Sequence, residues 1–230
     1  MRRAATAAAV LALALAGSAL AAGSAKLTID PNEAGKGTVA TIDATPPSSS
    51  KNPSSVVLQV VKGVGVHPAA VAKRCTNAQA GNNSCPRASR IGGGNAEVTV
   101  TGFGKVTATI KLYLGRKQKP GDIAGVVGIA TAGGQTAHAI GRVRHIDRGR
   151  LGVETRFDHL DKALKPPPGI KAHVDHIHLH FGTHRRVNGK RVDLITNPKT
   201  CTPKGWPYRI SVRYPDGTGQ SYHSSVTCSQ

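Results

Sequence analysis

The chain is poor in three things, and each shortage closes off a class of answer. Of 230 residues only eight are aromatic: Phe103, Phe157, Phe181, Trp206, Tyr113, Tyr208, Tyr214 and Tyr222. So sparse and scattered a set makes no stacking platform for single-stranded nucleic acid. Acids are scarce too, with 12 Asp+Glu against 31 Lys+Arg. That disfavours a paired-carboxylate hydrolase and a calcium site, both of which need clustered carboxylates. Finally, no window of a dozen residues carries an apolar stripe at helical spacing, which excludes a coiled coil or helix bundle. Gly-x-Ser-x-Gly, His-Glu-x-x-His and Gly-Lys-Ser/Thr segments are missing as well, and with them the commonest hydrolase, zinc-protease and nucleotide-binding signatures.

What is present begins with an address. Met1-Arg2-Arg3 precedes an almost unbroken Ala/Leu/Val stretch and then Gly17-Ser18-Ala19-Leu20-Ala21. A basic start, a short apolar core and a small-x-small site read as a secretory signal peptide, residues 1–21. Ala22 or Ala25 offers an alternative cleavage point. The strongly apolar core is about 10–13 residues, short of the roughly 20 a spanning helix needs. No later stretch approaches that length, so no transmembrane anchor is expected after cleavage. Loss of Arg2 and Arg3 leaves 29 basic residues against 12 acidic ones, a charge of +17. Four cysteines remain, Cys75, Cys85, Cys201 and Cys228. An even count in an exported chain reads as disulfides. Three connectivities exist, of which the local one, Cys75–Cys85 with Cys201–Cys228, is favoured; a zinc site needs tighter spacings.

The rest of the chain is a series of short runs with period-2 alternation, the mark of strands. They cover Thr38–Ala44, Val56–Val61, Glu97–Phe103, Val106–Leu114, Ile123–Ile129, Ala137–Ile146, Leu151–Phe157, His173–Phe181, Arg191–Ile195, Tyr208–Tyr214 and Gln220–Thr227. Residues 46–55 form a flexible Pro/Ser loop. Pro68–Arg74 and Phe157–Leu164 each suit a turn or two of helix, and Gly92-Gly93-Gly94 reads as a turn. The expectation is an all-β fold: an antiparallel β-sandwich of about eleven short strands in one domain, residues 22–230, with two smaller β units as the alternative.

Two segments are distinctive: Cys85-Pro86-x-x-Ser89-x-x-Gly92-x-Gly94, and Asn197-Pro198-x-x-Cys201. In these the chain resembles a group of secreted, mostly actinobacterial, β-rich proteins of unassigned function. The resemblance implies an extracytoplasmic β fold with local bridges, and carries no catalytic residues.

Outside that resemblance stands a histidine strand. In His176-Ile177-His178-Leu179-His180-Phe181 the imidazoles share one face and the apolar residues the other. Downstream, Asn188-Gly189 signals a type I′ hairpin. It sets His184 opposite Asp193 and Arg186 opposite Arg191, with Val192 and Leu194 on the face of Leu179 and Phe181. One reading of His176, His178 and His180 is a zinc or copper site, with a third ligand from His138, His145, His159 or Asp175. The other is a polar strand face and no cofactor. Basic residues are expected to gather at turns: Arg116-Lys117-x-Lys119, Arg142-x-Arg144, Arg148-x-Arg150 and Arg185-Arg186-x-x-x-Lys190-Arg191. At this charge an exported protein meets anionic polymers such as teichoic acids, lipid headgroups or extracellular nucleic acid. The sequence therefore points to a secreted, non-enzymatic protein at the cell envelope or outside the cell. It would adhere to anionic cell-wall polymer or another polyanion through basic loops, with Arg185, Arg186, Lys190 and Arg191 as the anion-binding candidates. A metal-binding protein or metal-dependent enzyme is the alternative.

Overall fold

A computed structural model describes residues 23–47, 52–163 and 172–230; the signal segment at 1–21 lies outside them. The chain runs through β1 (Ser24–Asp30), β2 (Val39–Thr45), β3 (Ser55–Val61), β4 (Gly65–Val66), β5 (Arg90–Val100), β6 (Gly104–Gly115), β7 (Asp122–Ala132) and β8 (Gln135–Arg148). It continues through β9 (Leu151–Asp158), β10 (Ala172–Phe181), β11 (His184–Val187), β12 (Lys190–Asp193), β13 (Ile195–Thr196), β14 (Trp206–Arg213) and β15 (Gly219–Val226). Among the described residues helix is limited to α1 (Asn77–Gly81), α2 (Leu160–Ala163) and 3-10 turns at Pro68–Ala70 and Arg87–Ser89.

Eleven strands hydrogen-bond in the order β1-β2-β10-β5-β6-β7-β8-β9-β3-β14-β15. All the pairings are antiparallel, so with an odd number the two edge strands run the same way. The sheet folds over until these edges meet. A parallel bridge joins Glu33 to Ser229 just beyond them, and the Leu27 amide donates to the Tyr208 hydroxyl at 3.1 Å. The sandwich is thus one continuous sheet whose inner face packs against itself. Its inward positions are the apolar set that alternation predicts. Leu112, Leu114, Val126, Val143 and Val153 form one buried cluster and Leu27, Leu58, Tyr208 and Ile210 another. Val60 and Phe181 touch both.

The two ends differ. The upper end carries the β5–β6, β7–β8 and β14–β15 turns. The lower end is plugged. There Ala70, Val71 and Leu194 join the core, and β4 pairs with β13. On the outside, α1 lies over β6–β8. Cys75, Ala80, Tyr113, Val127 and Ile129 make a separate buried cluster there. Thr76 and Gln79 cap α1 reciprocally, a Thr-x-x-Gln signature present in the sequence. The bridges are Cys75–Cys85 and Cys201–Cys228, with Cα separations of 5.0 and 5.7 Å, so the local connectivity is the one formed.

Several local expectations are corrected. Gly92-Gly93-Gly94 is no turn but part of β5, paired with both β6 and β10. A Cβ on Gly94 would stand 1.9 Å from the His178 carbonyl oxygen, and one on Gly92 2.1 Å from that of His180. The glycines let two backbones approach. Arg142 and Arg144 sit inside β8 rather than at a turn, and Ser55, expected in the loop, opens β3. β1, a Leu27/Ile29 strand, precedes the first strand expected.

Candidate functional site

The lower end brings together basic residues that are distant in sequence. Cys75 docks on the end of β6: its amide donates to the Leu114 carbonyl at 2.9 Å, and the Arg116 amide donates to the Cys75 carbonyl at 3.3 Å. This puts Arg74 beside the β6–β7 turn. An open groove of about 690 Å³ results, lined by Arg74, Arg116, Lys117 and His145 around Gly115, Gly121 and Asp122. Asp122 is only 3% exposed, and its Oδ2 accepts from the amides of Gln118 (3.2 Å) and Lys119 (2.8 Å). The one carboxylate lining the groove is therefore occupied by the turn that carries the cations.

Arg74 and Arg185 lie together at the margin. Arg74 donates to the carbonyls of Val71 (2.8 Å) and Pro68 (2.6 Å), and Arg185 to that of Ala69 (2.7 Å). Both guanidinium groups thus satisfy the carbonyls of the 3-10 turn. Burial, and then the Arg185 charge, hold Arg74 below its usual pKa. A guanidinium stays charged even so, and two adjacent like charges raise the local positive potential.

The sequence candidates separate accordingly. The Asn-Gly hairpin forms in the expected register, with His184 opposite Asp193, Arg186 opposite Arg191 and Val187 opposite Lys190. Asn188 and Gly189 both have positive φ, 49° and 76°, as a type I′ turn requires. Yet β11 and β12 form their own two-stranded sheet instead of prolonging β10. The chain leaves β10 at Gly182, which lies so close to Thr38 that a Cβ there would meet the Thr38 carbonyl oxygen at 2.7 Å. The carboxylate of Asp193 goes to Arg191, at 2.9 Å from Nε and 2.8 Å from Nη2. Arg191 is therefore neutralised by its own strand, while Arg186 and Lys190 reach the hairpin tip and Arg185 borders the groove. Arg74 was not singled out from the sequence; no local signal links it to the β6–β7 turn.

His176, His178 and His180 do share the outer face of β10, between β2 and β5. His178 Nδ1 donates to Asp43 Oδ1 at 2.7 Å, and His176 Nε2 lies 3.9 Å from the same oxygen. His180 lies opposite Thr41 and Gly93, away from that carboxylate. Of the expected third ligands, His138 and His145 are on β8 and His159 follows β9, none on a strand next to β10. Asp175 occupies a bulge in β10, accepts from Thr99 at 2.6 Å and has His173 Nε2 at 3.7 Å. Among the described residues no group of three or more His, Cys, Asp or Glu is placed to hold a metal ion. The strand carries three histidine–carboxylate contacts, to two carboxylates, on a polar face.

A buried ionic network lies on the outer face of β8, β9 and β3. Glu154, 1% exposed, accepts from Gln59 Nε2 at 2.8 Å and Arg144 Nε at 2.9 Å. Burial alone would raise its pKa. The hydrogen bonds from Gln59 and Arg144, with the charges of Arg144 and Arg156, outweigh burial and hold it below the ordinary carboxylate value.

No protein-family model matches this chain, and no curated protein matches it. The fold and the site define an all-β, disulfide-bonded protein with an apolar interior and a basic groove at its plugged end. Among the described residues no helix is long and apolar enough to cross a membrane.

Proposed function

We propose that this is a secreted binding protein that adheres to anionic polymer outside the cell, through the groove at its lower end. The observation that carries the reading is the convergence of Arg74, Arg116 and Lys117 on one open groove with Arg185 beside it, where the lining carboxylate, Asp122, is already hydrogen-bonded. A chain of phosphodiesters laid there meets donors and positive charge without having to displace a protein anion. The two disulfides and the signal-like N-terminus support an extracytoplasmic location. Arg185 and Arg186 extend the contact toward the hairpin; Arg191, held by Asp193, adds little.

The test compares two charge-matched variants against a synthetic poly(glycerol phosphate) at low salt. Arg116→Glu with Lys117→Glu changes the groove; Lys26→Glu with Lys105→Glu changes the same charge elsewhere on the sheet. The groove variant should lose tenfold or more in affinity and the other less than threefold. Equal losses would mean that net charge alone governs binding, and the groove would have no special part.

A further inference from the structure

The interior holds a second site, independent of the groove. A sheet of about eight strands curls to an interior that side chains fill or that takes one small ligand. Here eleven strands enclose the interior, and toward the upper end of β7 and β8 the inward positions are small. Gly128 pairs with Ala139 and Ala130 with Ala137, so small faces small in two successive rows. The space left over is a cavity of about 350 Å³ whose lining includes those four residues and, among the described residues, no charged side chain.

Apart from Thr155 on β9, its polar lining groups lie at the lower end and are already engaged. Thr38 Oγ1 donates to the Pro31 carbonyl at 2.9 Å, and Asn197 Nδ2 to those of Pro31 (2.9 Å) and Glu33 (2.8 Å). Tyr208 accepts from Leu27, and Trp206 Nε1 donates to the Thr200 carbonyl at 2.9 Å. An apolar cavity with so few polar anchors takes apolar guests.

Shape narrows the guest. The lining runs from Ala137 to Val143 along β8, six residue steps or about 20 Å. Spread over that length, 350 Å³ gives a channel of about 18 Å² in cross-section, the width of one hydrocarbon chain. At about 30 Å³ for a group the size of a water molecule, it holds on the order of a dozen methylenes. A charged head cannot follow the chain inside, because nothing there would pair with it. We propose that the lumen binds one unbranched aliphatic chain, the tail of an acyl lipid, with its polar head left outside the lumen.

Trp206 makes this measurable. It is the only tryptophan in the chain, it lines the lumen, and it is 4% exposed. The purified protein with both disulfides formed is titrated with bromine-labelled hexadecanoate, which quenches indole fluorescence on contact. Saturable quenching at one chain per protein is expected. With unlabelled competitors, affinity should tighten about three- to fourfold per methylene and level off beyond about a dozen carbons. Ala130→Leu with Ala139→Leu fills the lumen and should weaken binding at least tenfold; circular dichroism checks that this variant keeps its sheet. The chain-length series in the unaltered protein carries the test if that variant does not fold. Absence of saturable quenching at any length, undiminished binding to the folded filled variant, or stronger competition by a rigid sterol than by hexadecanoate would overturn the assignment. Polyanion binding plays no part in the readout, so the two proposals fail separately.

Discussion

At the scale of single residues the clearest chemistry is Glu154. A carboxylate that is 1% exposed survives as an ion because Gln59 and Arg144 donate to it. Arg144 is one-third exposed, so water would partly compensate it if the pair were broken. That places Glu154→Gln at about 1–3 kcal/mol of lost stability near neutral pH, below the roughly 3–5 kcal/mol of a fully buried pair. The pH dependence has a definite sign. The folded-state pKa lies below the usual value, so the ion pair stabilises the fold fully above the unfolded pKa of about 4.3. That contribution disappears as pH falls through the folded value. Urea unfolding of the two proteins between pH 7 and 3 should show the gap closing at the acid end. A constant gap would mean the charge contributes nothing and only shape was lost. None of this was legible in the sequence, where Glu154 is one acid within a strand. Its partners come from β3 and β8, and side-chain pairing across strands needs a register that the sequence does not supply.

At the scale of elements the legible parts were those with a local cause. Alternation located eleven strand segments, and Asn188-Gly189 set its hairpin register because a two-residue turn leaves no freedom. The parts that failed depend on neighbours remote in the chain. Glycine at 92–94 signals a turn when read alone; only the carbonyls of β10 explain why β5 needs it. Gly182 likewise, where the chain leaves the histidine strand, is needed for its close approach to Thr38. This distinction can be tested with two glycines in the same sheet. Gly94 has a φ of 156° and no room for a methyl group, whereas a Cβ on Gly128 would meet only Leu112, at 3.7 Å. Gly94→Ala should cost about 3 kcal/mol or more, and Gly128→Ala under about 1 kcal/mol in either direction. Denaturant midpoints compare them directly. Similar values would show that β5 and β10 are not held at this close approach.

At the scale of the molecule, charge and apolar surface are sorted with little mixing. Among the described residues no charged side chain lines the lumen, while 31 basic residues against 12 acidic ones leave the exterior strongly positive. Composition disclosed that imbalance, and the cysteine count suggested the bridges. It could not disclose the groove, which exists because Cys75 docks beside Gly115 and carries Arg74 to Arg116. The histidine strand was the most conspicuous sequence feature, yet of its three alternating imidazoles only His176 and His178 meet a carboxylate, that of Asp43, on an outer face. Local patterning draws the eye to runs, whereas the basic site is assembled from three separate segments. The salt dependence of polyanion binding tests this account most directly. If Arg74, Arg116, Lys117 and Arg185 each neutralise one phosphate of a flexible chain, log K plotted against log salt should fall with a slope of about −3. In Arg116→Glu with Lys117→Glu the slope should become shallower by half or more. A slope near zero in the unaltered protein, or one that the groove variant leaves unchanged, would contradict the proposed function.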